Sequence, residues 1–300
     1  MKSTVILWVI FLISSACSGK GEQHTYSNMT IHQIEFSEIT FTLDKKTRDT
    51  IQTEGVLKNE TMIDSLPCEG KVTFSKDWKL KEFTLGKDHE FGSHTFPKGT
   101  CVGLNIDVQE DIGSMSMYLA VRDARNRLVN TCKFMSNQPI DGLLCNGEQE
   151  VYFTTQWKLL VCILAEEDTV AGNLMQKSTL IRYNNDGTIW CFCLYNPEIQ
   201  GVICSGTDYT GFWMGGGGIS LYPSGRLKYF QPVNDIDIQG VTCKPSSVRG
   251  GIYLFEDGKL KKCTSAKDQI IDGVFIGKNF TLKFDEDGKI IYSKKEKIFQ

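Results

Sequence analysis

Eleven cysteines and four histidines carry the most distinctive chemistry in this 300-residue chain. The histidines are His24, His32, His89 and His94. His89 and His94 are the nearest pair, but Phe91 lies between them and the HExxH spacing of a helical zinc site is missing. Asp88-His89-Glu90 puts three ligating side-chain types in a row, and such polar clusters are ordinary in solvated loops. Cys191-Phe192-Cys193 is not a CxxC knuckle and has no second pair to complete four ligands. No GxSxG elbow, GxxxxGK[ST] loop or GxGxxG turn stands in the right setting. The glycine run 215–218 precedes no helix whose N-terminus would hold an anion, and it reads as linker. These residues nominate no catalytic group, metal or cofactor, so no enzymatic activity is expected. The alternative is a secreted hydrolase with an unrecognised site, which would need ionisable side chains gathered in one cleft.

The cysteines admit two readings. Ten remain beside Cys17, an even number that suits disulfides in an oxidising compartment. Spacing suggests local pairs, Cys132–Cys145 and Cys193–Cys204. Against this, Cys162 and Cys263 align with Phe83, Phe192 and Phe230, and Cys145, Cys204 and Cys243 align with Met175 and Ile276. Cysteine interchanging with such residues behaves as a small buried hydrophobe.

Cys17 stands apart. Lys2 precedes an unbroken apolar run, Val5–Ile13, followed by Ser14-Ser15-Ala16-Cys17. This is the pattern of a secretory signal peptide, and the run is too short to span a bilayer. Cleavage after Ala16 satisfies the small-x-small rule. The segment "ISSAC" also resembles the bacterial lipobox, departing from it at Ser14, where leucine is favoured. That resemblance implies a diacylated Cys17 anchoring the chain to a membrane. The expected organisation is a signal peptide at 1–16, a tether at 17–23, N-terminal cap strands at 24–62 (with "IEFSEITFTL" as a strand pair) and a β-repeat domain at 63–300. The location is the bacterial cell envelope, outer membrane or surface, or the secreted fraction.

The elements that must position any site come from repetition. "LYPSGRLKYF" at 221–230 returns as "LFEDGKLKKC" at 254–263 and "KFDEDGKIIY" at 283–292. Aligned on the apolar residue after the turn, anchors fall at Leu80, Leu128, Leu159, Ile189, Leu227, Leu260 and Ile290, a period that signals a repeat array. Two residues before four of them stands glycine, at 187, 225, 258 and 288, and Asn126 takes the place once. Such a residue suits the left-handed last position of a three-residue hairpin loop, here Glu256-Asp257-Gly258. Leu254 should then pair with Leu260. Trp78 and Trp157 break the pattern, so a different turn is expected there. Each hairpin precedes a block such as "IDGLLC" (140–145) or "IQGVIC" (199–204), expected as a third strand bulged at its glycine. No segment shows a convincing helical period. The fold is expected to be all-β, an elongated array of about seven three-stranded repeats in a β-meander, with a parallel β-solenoid as the alternative.

The hairpin motif resembles the MORN-type repeat family, which implies β-hairpin repeats and a scaffold or interaction role. With the lipobox, the chain is similar to a repeat-containing bacterial lipoprotein. Two long repeat steps hold insertions, 103–117 and 206–218. The second carries Tyr209, Phe212, Trp213 and Met214 among glycines, a candidate binding loop or a cover for the sheet. A net charge of −3 gives no basic excess for nucleic acid. The partners expected are the lipid anchor's membrane and a protein or glycan ligand.

Overall fold

The computed structural model describes residues 21–107, 128–206, 218–245 and 251–295, which divide into two compact units. Cys17, Asn126, Tyr209, Phe212, Trp213 and Met214 lie outside the described residues. The architecture is all-β, and every pairing among the described residues is antiparallel, as a meander requires and a parallel solenoid does not.

The first unit, residues 21–107, 128–136 and 152–158, holds a meander of strands Glu22–Ile31, Ile34–Leu43, Thr50–Leu57, Leu66–Ser75, Leu80–Leu85, Cys101–Asp107 and Leu128–Lys133, each paired with the next. "IEFSEITFTL" is one ten-residue strand, not a pair. Its partners are the flanking strands, and the turn into it is made by His32 and Gln33 at φ 50° and 66°.

The second unit contains residues 137–151, 159–206, 218–245 and 251–295. Its meander runs through Leu159–Ile163, Leu180–Tyr183, Ile189–Phe192, Ile219–Leu221, Leu227–Phe230, Ile252–Leu254, Leu260–Thr264, Phe280–Phe284 and Ile290–Lys295.

The hairpin turns close as the glycine pattern implies. Phe255 N donates to Lys259 O at 2.8 Å, Gly258 N donates to Phe255 O at 2.9 Å, and Leu254 pairs with Leu260. The two tryptophan turns are the same turn, contrary to expectation. Trp78 N donates to Ser75 O at 3.0 Å and Trp157 N to Thr154 O at 2.9 Å, with φ of 58° and 63°. A left-handed non-glycine residue is strained by about 1–2 kcal/mol. Ring contacts offset that strain: Trp78 lies 5.2 Å from Phe74 and 4.8 Å from His32, and Trp157 lies 4.3 Å from Phe91.

The "IDGLLC" block differs from expectation more deeply. It is the turn and second strand of a separate two-stranded ribbon, not one bulged strand. Gln138–Ile140 pairs with Leu143–Cys145 around Asp141-Gly142, whose φ values of 49° and 82° define the two-residue turn that matches strand twist. Ala171-Gly172, Gln200-Gly201, Gln239-Gly240 and Asp272-Gly273 repeat it. Each module is therefore a sheet hairpin followed by a ribbon.

Each ribbon ends on a fully buried residue. In order these are Cys68, Phe96, Cys145, Met175, Cys204, Cys243 and Ile276, all 0–1% exposed. The sheet contributes Val72, Val151, Ile181, Ile219, Ile252 and Leu282 to the core. Two aligned positions shift. Leu128 is exposed and Val129 takes its core place, because one residue of slip turns a side chain to the other face. Phe192 does not share the column of Cys162 and Cys263. The hairpin Leu180–Phe192 pairs without the bulge that follows the other anchors, so Cys191 sits opposite Ile181 on the core face.

Polar clamps, invisible to hydrophobic alignment, hold the modules. At four of the ribbon bases an Asp or Asn accepts a backbone N–H ten residues on: Asp88 from Lys98 (2.8 Å), Asn137 from Gly147 (3.3 Å), Asn196 from Gly206 (2.9 Å) and Asp268 from Lys278 (2.6 Å). Ribbon turns also reach the next hairpin. Gln200 Oε1 accepts from Leu227 N, and Gln239 Oε1 accepts from Leu260 N at 3.1 Å. The bonds to Leu227 and Leu260 satisfy part-buried backbone N–H groups that would otherwise be costly.

Candidate functional site

Asp88 is a ribbon clamp, His89 rests against Phe91 at 4.8 Å, and His94 is buried with its ring stacked on Phe96. Among the described residues no three His, Cys, Asp or Glu side chains gather as a metal site.

The ten described cysteines are free thiols. Cys132, Cys145, Cys193 and Cys204 stand as free thiols instead of the local bridges that spacing suggested, and each is at most 2% exposed. Burial pushes the thiols of Cys68 and Cys204 up to about 12. It also raises Cys191, Cys132 and Cys193. Cys162 is raised by the adjoining Cys145 thiol and by burial, and Cys243 by the adjoining Cys263 thiol and by burial. A protonated thiol is a poor nucleophile and metal ligand, so these groups are packing residues. Cys101 is the exposed one.

The chemistry-bearing surface lies elsewhere, on the sheet face opposite the core. In the second unit the pairing register threads one row across successive strands: Arg182 opposite Trp190, Trp190 opposite Ser220, Ser220 opposite Tyr229, Tyr229 opposite Tyr253, Tyr253 opposite Lys262, Lys262 opposite Lys283, and Lys283 opposite Tyr292. Neighbouring rings are close, with Trp190 and Tyr229 5.4 Å apart and Tyr229 and Tyr253 4.7 Å apart. The cations lie over the rings. Arg182 is 5.8 Å from the Trp190 centroid, Lys262 5.1 Å from Tyr253, and Lys283 5.2 Å from Tyr292. Burial raises the Tyr253 hydroxyl, so it stays protonated and able to donate. Alignment on core residues passes over this row, because its members occupy the alternate strand positions. The usable signal was the residue just before each anchor's partner, where Arg182, Ser220, Tyr253 and Lys283 stand before Tyr183, Leu221, Leu254 and Phe284. Arg182, Ser220 and Tyr229 are buried, so the part of the row open to a ligand is the half-buried Trp190, Tyr253 and Lys262 and the exposed Lys283 and Tyr292, which can stack on, hydrogen-bond and neutralise one.

No protein-family model, no curated protein and no solved structure matches this chain.

Proposed function

We propose that the chain is an exported, lipid-anchored repeat protein of the bacterial envelope, acylated at Cys17, whose modules present a surface for a protein or glycan or for a structural coat. The observation that carries this reading is the recurrence of one module, with Asn173, Gln200 and Gln239 of the ribbons bonded to the backbone of later hairpins. What the modules leave outward is contact surface. On the ribbons of the second unit, Leu174, Ile203, Ile270 and Phe275 are all more than half exposed, and exposed apolar side chains of this kind suit contact with a partner. The small, polar residues 18–21 between Cys17 and the first strand fit a tether, which is shorter than the sequence implied because Glu22 and Gln23 already pair with Leu43 and Thr42. Metabolic labelling with palmitate tests the anchor. Label should enter the wild-type protein and vanish in Cys17→Ala, which should leave the membrane fraction. An unlabelled wild type, or label retained by Cys17→Ala, contradicts the reading.

A further inference from the structure

The last four strands of the sheet, Ile252–Leu254, Leu260–Thr264, Phe280–Phe284 and Ile290–Lys295, contain five lysines and no acidic residue. This is so although the whole chain carries a net charge of −3. The carboxylates of these hairpins sit at the tips, at Glu256, Asp257, Asp285, Glu286 and Asp287. Lys262 lies directly opposite Lys283, an arrangement that destabilises a sheet unless something neutralises it. Each of the two ammonium groups lies over a tyrosine ring, and Thr281 pairs with Lys294 beside them. Lys283, Lys294 and Tyr292 are exposed, while Tyr253 and Lys262 are half-buried.

We propose that this face binds an acidic polysaccharide. Its carboxylate or sulfate groups would neutralise the opposed Lys262 and Lys283, with Lys294 as a third cation. The phenol groups of Tyr253 and Tyr292 and the Thr281 hydroxyl would hydrogen-bond sugar hydroxyls, and a row crossing successive strands suits an extended chain. The register places the four side chains Tyr253, Lys262, Lys283 and Tyr292 on adjacent strands about 4.8 Å apart, so a linear polymer can touch several at once. Nucleic acid fits less well, since bases need open ring faces and each ring here already carries an ammonium. A bilayer would need apolar side chains to insert, and these six residues supply none. The choice of an envelope polymer rests on the export proposed above, while the charge argument does not.

Affinity electrophoresis of the mature protein through gels containing polygalacturonate, neutral dextran or nothing tests the proposal, with single-stranded DNA and anionic vesicles as parallel arms. Polygalacturonate should retard the wild type in a salt-sensitive way and dextran should not. Lys262→Gln/Lys283→Gln should weaken apparent binding at least about tenfold, as loss of two charge-assisted contacts implies, while melting at or above the wild-type temperature. Lys58→Gln/Lys76→Gln removes the same charge from exposed sites in the first unit and should bind as the wild type does. Should the double variant misfold, Lys283→Gln alone must still weaken binding. No retardation, equal losses in both double variants, or stronger capture by DNA or vesicles overturns the proposal. Palmitate labelling is a separate measurement, so a labelled protein that ignores polygalacturonate refutes this inference and leaves the anchor standing.

Discussion

Taken in reductant from about pH 8 to about pH 11, the protein is expected to unfold cooperatively, because its core is built partly from thiols. The unfolded thiol ionises near 9, whereas burial holds Cys68 and Cys204 up to about 12 and raises Cys132, Cys191 and Cys193, and an adjoining thiol together with burial raises Cys162 and Cys243. Above the ordinary thiol range the unfolded chain binds fewer protons than the folded one, so stability falls as pH rises. The loss continues until the folded thiols ionise too. Each such thiol withdraws about 1.4 kcal/mol per pH unit across that window. Several acting together exceed the ~5–15 kcal/mol of an ordinary domain within a unit or two. Urea-unfolding free energies measured across the range give the slope. Replacing Cys68, Cys204 and Cys243 by Ala should lower stability at neutral pH and make the alkaline slope shallower by about three times that increment. Parallel slopes for variant and wild type would show that these thiols are not buried in the folded state.

The second large effect concerns two glycines that look interchangeable in the sequence. Gly225 and Gly258 hold the same place in successive hairpins, at φ 82° and 89°. A Cβ on Gly258 meets nothing within 4 Å, whereas one on Gly225 would lie 1.9 Å from the carbonyl oxygen of Ala171. Gly225 is also clamped from the other side. Its carbonyl accepts from Asn173 Nδ2 at 2.8 Å and from Gln200 Nε2 at 2.9 Å. Gly258→Ala should therefore cost only the left-handed backbone strain, about 1 kcal/mol. Gly225→Ala must also push a backbone carbonyl out of a hydrogen-bonded junction, and should cost about 4 kcal/mol or more. Urea midpoints of the two variants give the comparison. Equal costs would mean that the hairpin tip does not rest on the ribbon turns.

Much of this architecture was legible because it repeats. The Glu256-Asp257-Gly258 loop, the Leu254–Leu260 pair and the Cys/Met/Ile column at ribbon ends follow from residues that recur at fixed intervals. The ribbons escaped for a physical reason. Their strands are only two or three residues long, shorter than a strand that announces itself by alternation, so Asp141-Gly142 looked like an interruption within a strand. The tryptophan turns were misjudged because local preference forbids what ring packing enforces. Trp157 keeps a left-handed backbone because Phe91, Phe96 and Phe153 surround it. The row from Arg182 to Tyr292 escaped because strands of unequal bulging bring it together. No count of residues between anchors encodes that register.

The claim on which the rest depends is that each unit buries the residues at its own ribbon ends. Peptide-resolved alkylation of the native, reduced protein with iodoacetamide tests it most directly, because cysteines stand at the ribbon ends of four different modules. Cys101 should react at the rate of a free thiol, while Cys68, Cys145, Cys204 and Cys243 should be slower by orders of magnitude until denaturant opens the array. Reaction of those four at the pace of Cys101 without denaturant would contradict it.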